Sequence, residues 1–386
     1  MFNVLTLNKI SPVGTDRLGD NYTFGDDIAN PDAVLVRSAS MHEMEMPESL
    51  LAIARAGAGT NNIPVDDCAS KGIVVFNSPG ANANAVKELV IAGLLLSSRK
   101  IVDGIKWAET LKGNGDAVAK MIEKGKSQFV GPEIMGKTLG IVGLGAIGIL
   151  VANAAVALGM NVIGFDPFMS VNNALKLNRH IVLKNNVEEV LTECDYLTIH
   201  VPLTDDTKNM VSAEILAKMK DGVRILNYSR NGLVNEDAVL EGLKSGKVSA
   251  YITDFGDDKI LGQEGVTVMP HLGASTPESE DNCAIMAVDE IKDYLENGNI
   301  VNSVNYPSVT MARTGDVRFC VMHKNTPKIL TQVLGAVTEN NANVENMESK
   351  SRKDIAYTVI DTTGADASVT SAIKAIDGII RVRVIK

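Results

Sequence analysis

From Thr138 to Phe165 the chain carries no charged residue, and this stretch constrains the fold more than any other feature. A run this long and apolar could span a bilayer. Its punctuation argues otherwise. Gly136, Gly140, Gly143, Gly145, Gly148, Gly159 and Gly164 flank or interrupt it, and Asn153 and Asn161 lie inside. A buried strand, a glycine turn, a buried helix and a second buried strand account for the pattern.

The turn reads Gly143-Leu144-Gly145-Ala146-Ile147-Gly148. The first glycine allows a tight turn, the second lets backbone approach a pyrophosphate, and the third lets helix and strand pack closely. Amides at the helix N-terminus then hold the anionic phosphates. Asp166, followed by Pro167, ends the next strand, where an acid accepts hydrogen bonds from ribose hydroxyls. Its carboxylate repels a 2′-phosphate, and no Arg or Lys follows before Lys176. NAD is therefore the expected cofactor, in preference to NADP.

At 386 residues the chain is long enough for two or three domains. Val34–Val36, Leu51–Ala54 and Ile73–Phe76 read as buried parallel strands, and Glu88–Arg99 as a helix apolar nearly all round. After Gly136 a second α/β series follows, with strands at Leu139–Val142, Asn161–Phe165, Tyr196–His200, Arg224–Asn227 and Val266–Met269. Alternation at this spacing points to doubly wound parallel sheets. Thr276 and Pro277 supply a cap and first residue for a long amphipathic helix over Glu278–Asn297, closed by Gly298. Asn302–Gly315, rich in Ser, Asn, Thr and Pro, reads as a linker.

Beyond it, Val317, Phe319 and Val321 alternate with Arg318 and Cys320, as Ile380, Val382 and Val384 do with Arg381 and Arg383. Helical runs near 328–340 and 368–376 and strands near 344–350 and 355–361 complete a βαββαβ unit with an antiparallel sheet. Such a unit is expected to leave one sheet face and an edge free for self-association.

A formal net charge of −10 argues against nucleic-acid or anionic-membrane partners. An anionic substrate must then be captured by local cations. The four cysteines, Cys68, Cys194, Cys283 and Cys320, lie far apart without CxxC spacing, so neither a disulfide framework nor a metal site is expected. The N-terminus lacks a signal-peptide pattern, which makes a cytoplasmic location the expectation.

Hydride transfer from an anionic hydroxy substrate to such a cofactor needs a base for the hydroxyl proton and a cation for the anion. His271, after Pro270, suits the base, because imidazole titrates near neutral pH. Arg230, after an apolar strand, can clamp a carboxylate through two N–H groups. The bland readings are a structural histidine and an interface ion pair.

The glycine loop, His200-Val201-Pro202-Leu203, Asn227-Tyr228-Ser229-Arg230-Asn231-Gly232-Leu233-Val234-Asn235-Glu236 and Pro270-His271-Leu272-Gly273-Ala274-Ser275 occur in one order. In that order the sequence resembles the D-2-hydroxyacid dehydrogenases, over nearly all of residues 30–305. The resemblance implies two Rossmann-like domains, with an NAD domain at 99–277 inserted in a substrate domain made of 1–98 and the returning helix at 278–306. It implies His271 as acid–base and Arg230 as clamp. Cofactor contacts are implied at Thr207, Asn227, Tyr228, Ser229, Gly273 and Ala274, at Asp254 toward the nicotinamide amide, and along the His200–Pro202 backbone, the His200 side chain being structural. Substrate contacts are implied at Arg37, Ser38, Ala58, Gly59 and Asn82; Arg55 stays open between solvated, interface and substrate roles.

One departure stands out. The glutamate that orients the histidine in this family is missing from Thr253-Asp254-Phe255-Gly256-Asp257-Asp258-Lys259. Asp257, by slight preference, or Asp258 substitutes for it, or the histidine works alone. Arg37 matches the arginine that neutralises phosphate in members acting on 3-phosphoglycerate. The 316–386 unit resembles an ACT domain, a ferredoxin-like small-molecule sensor, with His323, Asn325 and Asn343 at positions that bind L-serine. Lys328 stands where the resemblance implies a glycine that lets a ligand approach the strand–helix turn. A homodimer or homotetramer is expected. The competing functional readings are a dehydrogenase of unphosphorylated acids such as glyoxylate or hydroxypyruvate, and a non-catalytic NAD-sensing protein.

Overall fold

The computed structural model describes residues 1–340 and 342–386. The chain forms two compact units, one from Met1–Asn82 with Pro277–Lys386 and the other from Ala83–Thr276.

In the first unit β1 (Phe2–Leu7), β2 (Tyr22–Gly25), β3 (Ala33–Val36), β4 (Ala52–Arg55) and β5 (Val74–Asn77) form a parallel sheet of order β2-β1-β3-β4-β5. Alternate residues serve opposite faces. Val4, Leu35, Ala54 and Phe76 pack toward Ile291 and Tyr294, whereas Leu5, Val34, Ile53 and Val75 pack toward Met41, Leu50 and Ile63. Both faces are thus buried, which is why these strands read as continuous apolar runs.

The second unit holds the longer sheet. Its strands are β6 (Thr138–Val142), β7 (Asn161–Phe165), β8 (Val182–Leu183), β9 (Tyr196–Ile199), β10 (Val223–Asn227), β11 (Val248–Thr253) and β12 (Val266–Val268). They run parallel in the order β12-β11-β10-β9-β6-β7-β8. The order reverses between β6 and β9, the arrangement of a doubly wound fold with its ligand crevice at the switch point. The uncharged stretch that opens this sheet lies in its core, and among the described residues no helix is long and apolar enough to cross a membrane.

The Ala83–Ser98 helix belongs to this unit. Its Val86, Val90 and Leu94 pack with Leu139, Ile141 and Leu226. At Gly93 a side chain would collide with the Tyr228 ring. The division therefore falls at 82/83, not after residue 98, because an apolar helix follows its packing partners and not its chain neighbours.

Back in the first unit, the Pro277–Asn297 helix covers one face of the β1–β5 sheet. The stretch read as a linker is not free. Tyr306 and Val309 are fully buried, and the Asn305 side chain accepts from Val75 N (2.9 Å) and donates to the Ile73 carbonyl (2.9 Å). The edge strand β5 needs partners for its backbone, and this segment supplies them without forming a strand. Its polar composition concealed that role.

The last sheet is antiparallel, with β13 (Val317–Lys324), β14 (Asn343–Arg352), β15 (Ile355–Thr363) and β16 (Ile379–Ile385) in the order β14-β15-β13-β16. Phe319, Val321 and Ile360 pack against its helices, Ile329–Thr338 and Ala367–Lys374. The opposite face, expected to be open, is covered: Cys320, Met322, Tyr357 and Val359 share one core with Ile291, Tyr294 and Leu295 of the long helix.

That contact also completes the helix end. The last carbonyls of a helix lack partners within it. Here Arg318 Nη1 donates to the Asn297 carbonyl (2.7 Å), and Arg383 Nη1 donates to that of Tyr294 (2.6 Å). Tyr357 donates its hydroxyl to the Gly298 carbonyl just beyond (2.6 Å). Arg318, polar by its place in the alternation, is fully buried and bidentate on Asp361 (2.6 and 2.8 Å).

Candidate active site

The glycine turn sits at the switch point of the second unit. Gly143, at φ +93°, packs on the His200 carbonyl, where a side chain would collide, and one at Gly148 would strike the Gly143 carbonyl. At Gly145 an added Cβ would meet no atom within 4 Å among the described residues. Two glycines are thus required by packing, while the second faces open space before the helix that begins at Ala146 and Ile147.

Asp166 fixes this turn to the end of β7. Its Oδ2 accepts from Leu144 N (2.9 Å) and its Oδ1 from Phe168 N (2.8 Å), past Pro167. A carboxylate has about four acceptor sites, so lone pairs are left for two hydroxyls. His200 pairs through Nε2 with Thr198 Oγ1 (3.0 Å), and burial pushes its pKa down to about 4. The ring is neutral and is held by its own strand.

The neighbouring loops are tied together by their own side chains. Ser229 Oγ donates to the Val201 carbonyl (2.6 Å), Thr207 Oγ1 to that of Pro202 (2.7 Å), and Asn227 Nδ2 to that of Arg230 (2.9 Å). Tyr228 does not reach outward. Its buried ring packs against Gly93, and its hydroxyl lies 3.6 Å from Met269 Sδ. The side chain therefore serves helix packing.

Asp254, His271 and Arg230 share one electrostatic neighbourhood. Asp254 is 4% exposed, and its Oδ1 has no hydrogen-bond partner among the described residues. Burial pushes its carboxyl up, against the lowering influence of His271, the Gly273 amide and Arg230. A side chain at Gly273 would press on Asp254 Oδ2 at 3.3 Å, and Ala274 follows half-buried. His271 holds a left-handed backbone (φ +48°), with its N–H donating to the Met269 carbonyl (2.9 Å) and its exposed ring on the edge of Phe255 at 5.2 Å. Arg230 is exposed, with Nη1 on its own Ser229 carbonyl (2.7 Å).

Asp257 is not the histidine's partner. Its Oδ1 accepts from Lys259 N (2.9 Å) and Ile260 N (3.1 Å), capping its own turn. Burial and the hydrogen-bonded Asp257 carboxyl raise the pKa of Glu236, so Asp257 faces that side chain. Local amides compete well for a short carboxylate. The acid on which His271 acts is Asp254, by lowering its carboxyl.

In the first unit the loop after β3 carries Arg37, whose Nη2 donates to Glu280 Oε1 at 2.6 Å. Ser38 N and Ala39 N both donate to Asn8 Oδ1 (3.0 and 2.7 Å). Asn8, at φ +69°, was missed by the sequence reading; an asparagine just past a strand is the residue type that tolerates this conformation. Arg55 Nε donates to the Arg37 carbonyl (3.0 Å), and a side chain at Gly57 would lie 2.8 Å from its Nη1. Asn77 Nδ2 donates to the Ala58 carbonyl (2.6 Å), beside Gly59, and Asn82 is the last residue before the second unit. Glu280 was also missed, since an acid in a first helical turn signals only a helix start.

The expected effector positions are partly consumed. His323 is buried, with Nδ1 on the Lys324 carbonyl (2.8 Å) and Nε2 on Thr358 Oγ1 (2.9 Å). A carbonyl can only accept, so Nδ1 carries the proton and Nε2 accepts, leaving neither nitrogen for a ligand. Asn325 Nδ2 donates to the Lys353 carbonyl (3.0 Å) and exposed Asn343 to Glu345 Oε1 (2.8 Å). Lys328 adopts φ +73°, the conformation that a glycine would hold without strain. Among the described residues no group of side chains has the makings of a metal site, and all four cysteines are buried and free.

Residues 92–273 match the profile of the D-isomer specific 2-hydroxyacid dehydrogenase NAD binding domain. A D-3-phosphoglycerate dehydrogenase of Haemophilus influenzae is 31% identical over 355 residues, covering 89% of this chain and 83% of its own length. That of Bacillus subtilis is 34% identical over 329 residues, covering 80% of this chain and 60% of its own. The chain spans 50–60% of the length of the first curated relatives it matches. Among solved structures, the NAD+-bound 3-phosphoglycerate dehydrogenase of Entamoeba histolytica aligns with a TM-score of 0.60 at 25% identity, covering 79% of this chain and 98% of its own.

Proposed function

The chain belongs to the D-isomer specific 2-hydroxyacid dehydrogenases, and from that premise we propose that it oxidises 3-phospho-D-glycerate to 3-phosphohydroxypyruvate with NAD+. The observation that carries the reading is the joint placement, in one unit, of the glycine turn with Asp166 and the Asp254–His271–Arg230 neighbourhood.

The residues fit the cofactor. Open space at Gly145 suits a pyrophosphate, and the orphaned Asp254 Oδ1 suits an amide N–H of the nicotinamide. Bound NAD+ supplies the hydride acceptor. His271 takes the hydroxyl proton as the C2 hydrogen leaves with its electron pair, and returns it in the reductive direction. Arg230 holds the carboxylate and, in reduction, polarises the carbonyl. For the substrate, the same proposal assigns the amides at Ala58 and Gly59 to a carboxylate, Asn82 and Ser38 to further contacts, and Arg37 to the phosphate.

The test is NADH formation from 3-phosphoglycerate, with 3-phosphohydroxypyruvate, hydroxypyruvate and glyoxylate assayed in reduction. Phosphate-dependent turnover that collapses in Arg37→Ala, and falls roughly 100- to 10,000-fold in His271→Gln, is expected. Turnover with unphosphorylated acids only would reassign the substrate; NADH binding without turnover would make the protein a sensor. The C-terminal unit first serves the fold by capping the long helix. A serine effect on activity or thermal stability would restore an effector role, and light scattering would tell a homodimer from a homotetramer.

A further inference from the structure

The arginine assigned to the phosphate already has an anion. Arg37 Nη2 meets Glu280 Oε1 at 2.6 Å, with the side chains 43% and 44% exposed. Glu280 projects from the first turn of the Pro277–Asn297 helix, where a carboxylate is favoured by the positive end of the helix dipole. Arg55 holds the Arg37 carbonyl from below. The Cys283 thiol, close by on the same helix, is pushed up by burial, drawn down by Arg55 and Arg37, and pushed up by Glu280. Two arginines and one glutamate therefore share a small region, on a chain of net charge −10.

We propose that Glu280 is a resident anion on Arg37 that competes with the substrate's phosphate, and so sets the affinity for phosphorylated over unphosphorylated acids. This deepens the reading above and rests on it. The contact uses one of the five guanidinium N–H groups. A half-exposed pair of this kind is weak, whereas a phosphate dianion binds bidentately with twice the charge. Exchange favours phosphate, but with Glu280 on the same guanidinium, binding either displaces that carboxylate or holds two anions side by side. An unphosphorylated acid gains nothing by displacing Glu280 and leaves the pair intact. Glu280 is thus a positioning and selectivity residue, acting through Arg37.

The test uses Glu280→Gln, Glu280→Asp and Arg37→Ala in the full chain, with matched melting curves to show that each folds. Calorimetry measures binding of inorganic phosphate and 3-phosphoglycerate, and kinetics separate KM from kcat. Glu280→Gln is expected to bind both roughly three- to tenfold tighter and to lower KM for the phosphorylated acid by the same factor, the effect lying in KM more than in kcat. KM for hydroxypyruvate should not follow, Glu280→Asp should restore the weaker binding, and Arg37→Ala should lose phosphate altogether. Equal or weaker binding by Glu280→Gln overturns the inference, since the glutamate would then be a bystander or would help to bind phosphate. If only unphosphorylated acids turn over while Glu280→Gln still binds phosphate more tightly, the substrate reading fails and the competing anion stands.

Discussion

Arg37 and Arg318 each meet a carboxylate at 2.6 Å in the same unit, yet the first pair is 43% and 44% exposed and the second 0% and 1%. Arg318 grips Asp361 through two nitrogens, and Asp361 Oδ2 also accepts from Thr314 N (2.7 Å). Arg37 uses one nitrogen and faces solvent. The buried pair cannot trade partners, because releasing either charge would leave the other stranded in an apolar core. The exposed pair has water as its alternative, so it can trade partners at little cost. Burial decides which arginine is architecture and which is available for binding.

The largest break in this comparison is Arg318→Ala, expected to cost about 3–5 kcal/mol in urea unfolding by stranding Asp361. An Arg318→Met/Asp361→Leu double variant should recover most of that loss. If it does not, the contact to the Asn297 carbonyl matters as much as the charge pair.

A buried carboxyl without a cation sharpens it next. Glu290 accepts from Asn302 Nδ2 (2.8 Å), its Oε2 has no partner among the described residues, and burial pushes its pKa up to about 8. In the unfolded chain a glutamate titrates near 4.3. With the folded value raised, its contribution is fully present below the unfolded value and lost as pH rises through about 8. The stability advantage of Glu290→Gln over the unsubstituted chain should therefore grow from pH 5 to pH 8, by about 2–4 kcal/mol in paired denaturant titrations. A pH-independent difference would mean that the carboxyl keeps its charge in the folded state. The smallest effect belongs to Glu280→Ala, expected to shift stability by less than about 1 kcal/mol, and by less still in high salt.

What the sequence discloses follows the same division. The glycine turn and Asp166 were legible because their constraints are imposed by the backbone of a neighbouring strand and loop, within a short span. The βαββαβ order was legible from alternation alone. Alternation could not say what covers each face, so the face with Arg318, Cys320 and Tyr357 looked free until the distant 277–297 helix was in place. Asp257 failed for a different reason: spacing counts residues toward the histidine but does not reveal that two amides in its own turn take the carboxylate. His323 matched its motif, while the groups that occupy its ring lie on the next residue and on β15.

A helix of 21 residues measures about 30 Å. Near one end it holds Glu280, and at the other its carbonyls rest on Arg318 and Arg383. For anyone re-engineering this chain, the C-terminal domain is consequently not a detachable cassette. A cut after the long helix would remove the groups that finish it and open Ile291, Tyr294 and Leu295 to water, and a grafted replacement would have to carry its own pair of arginines at matching positions.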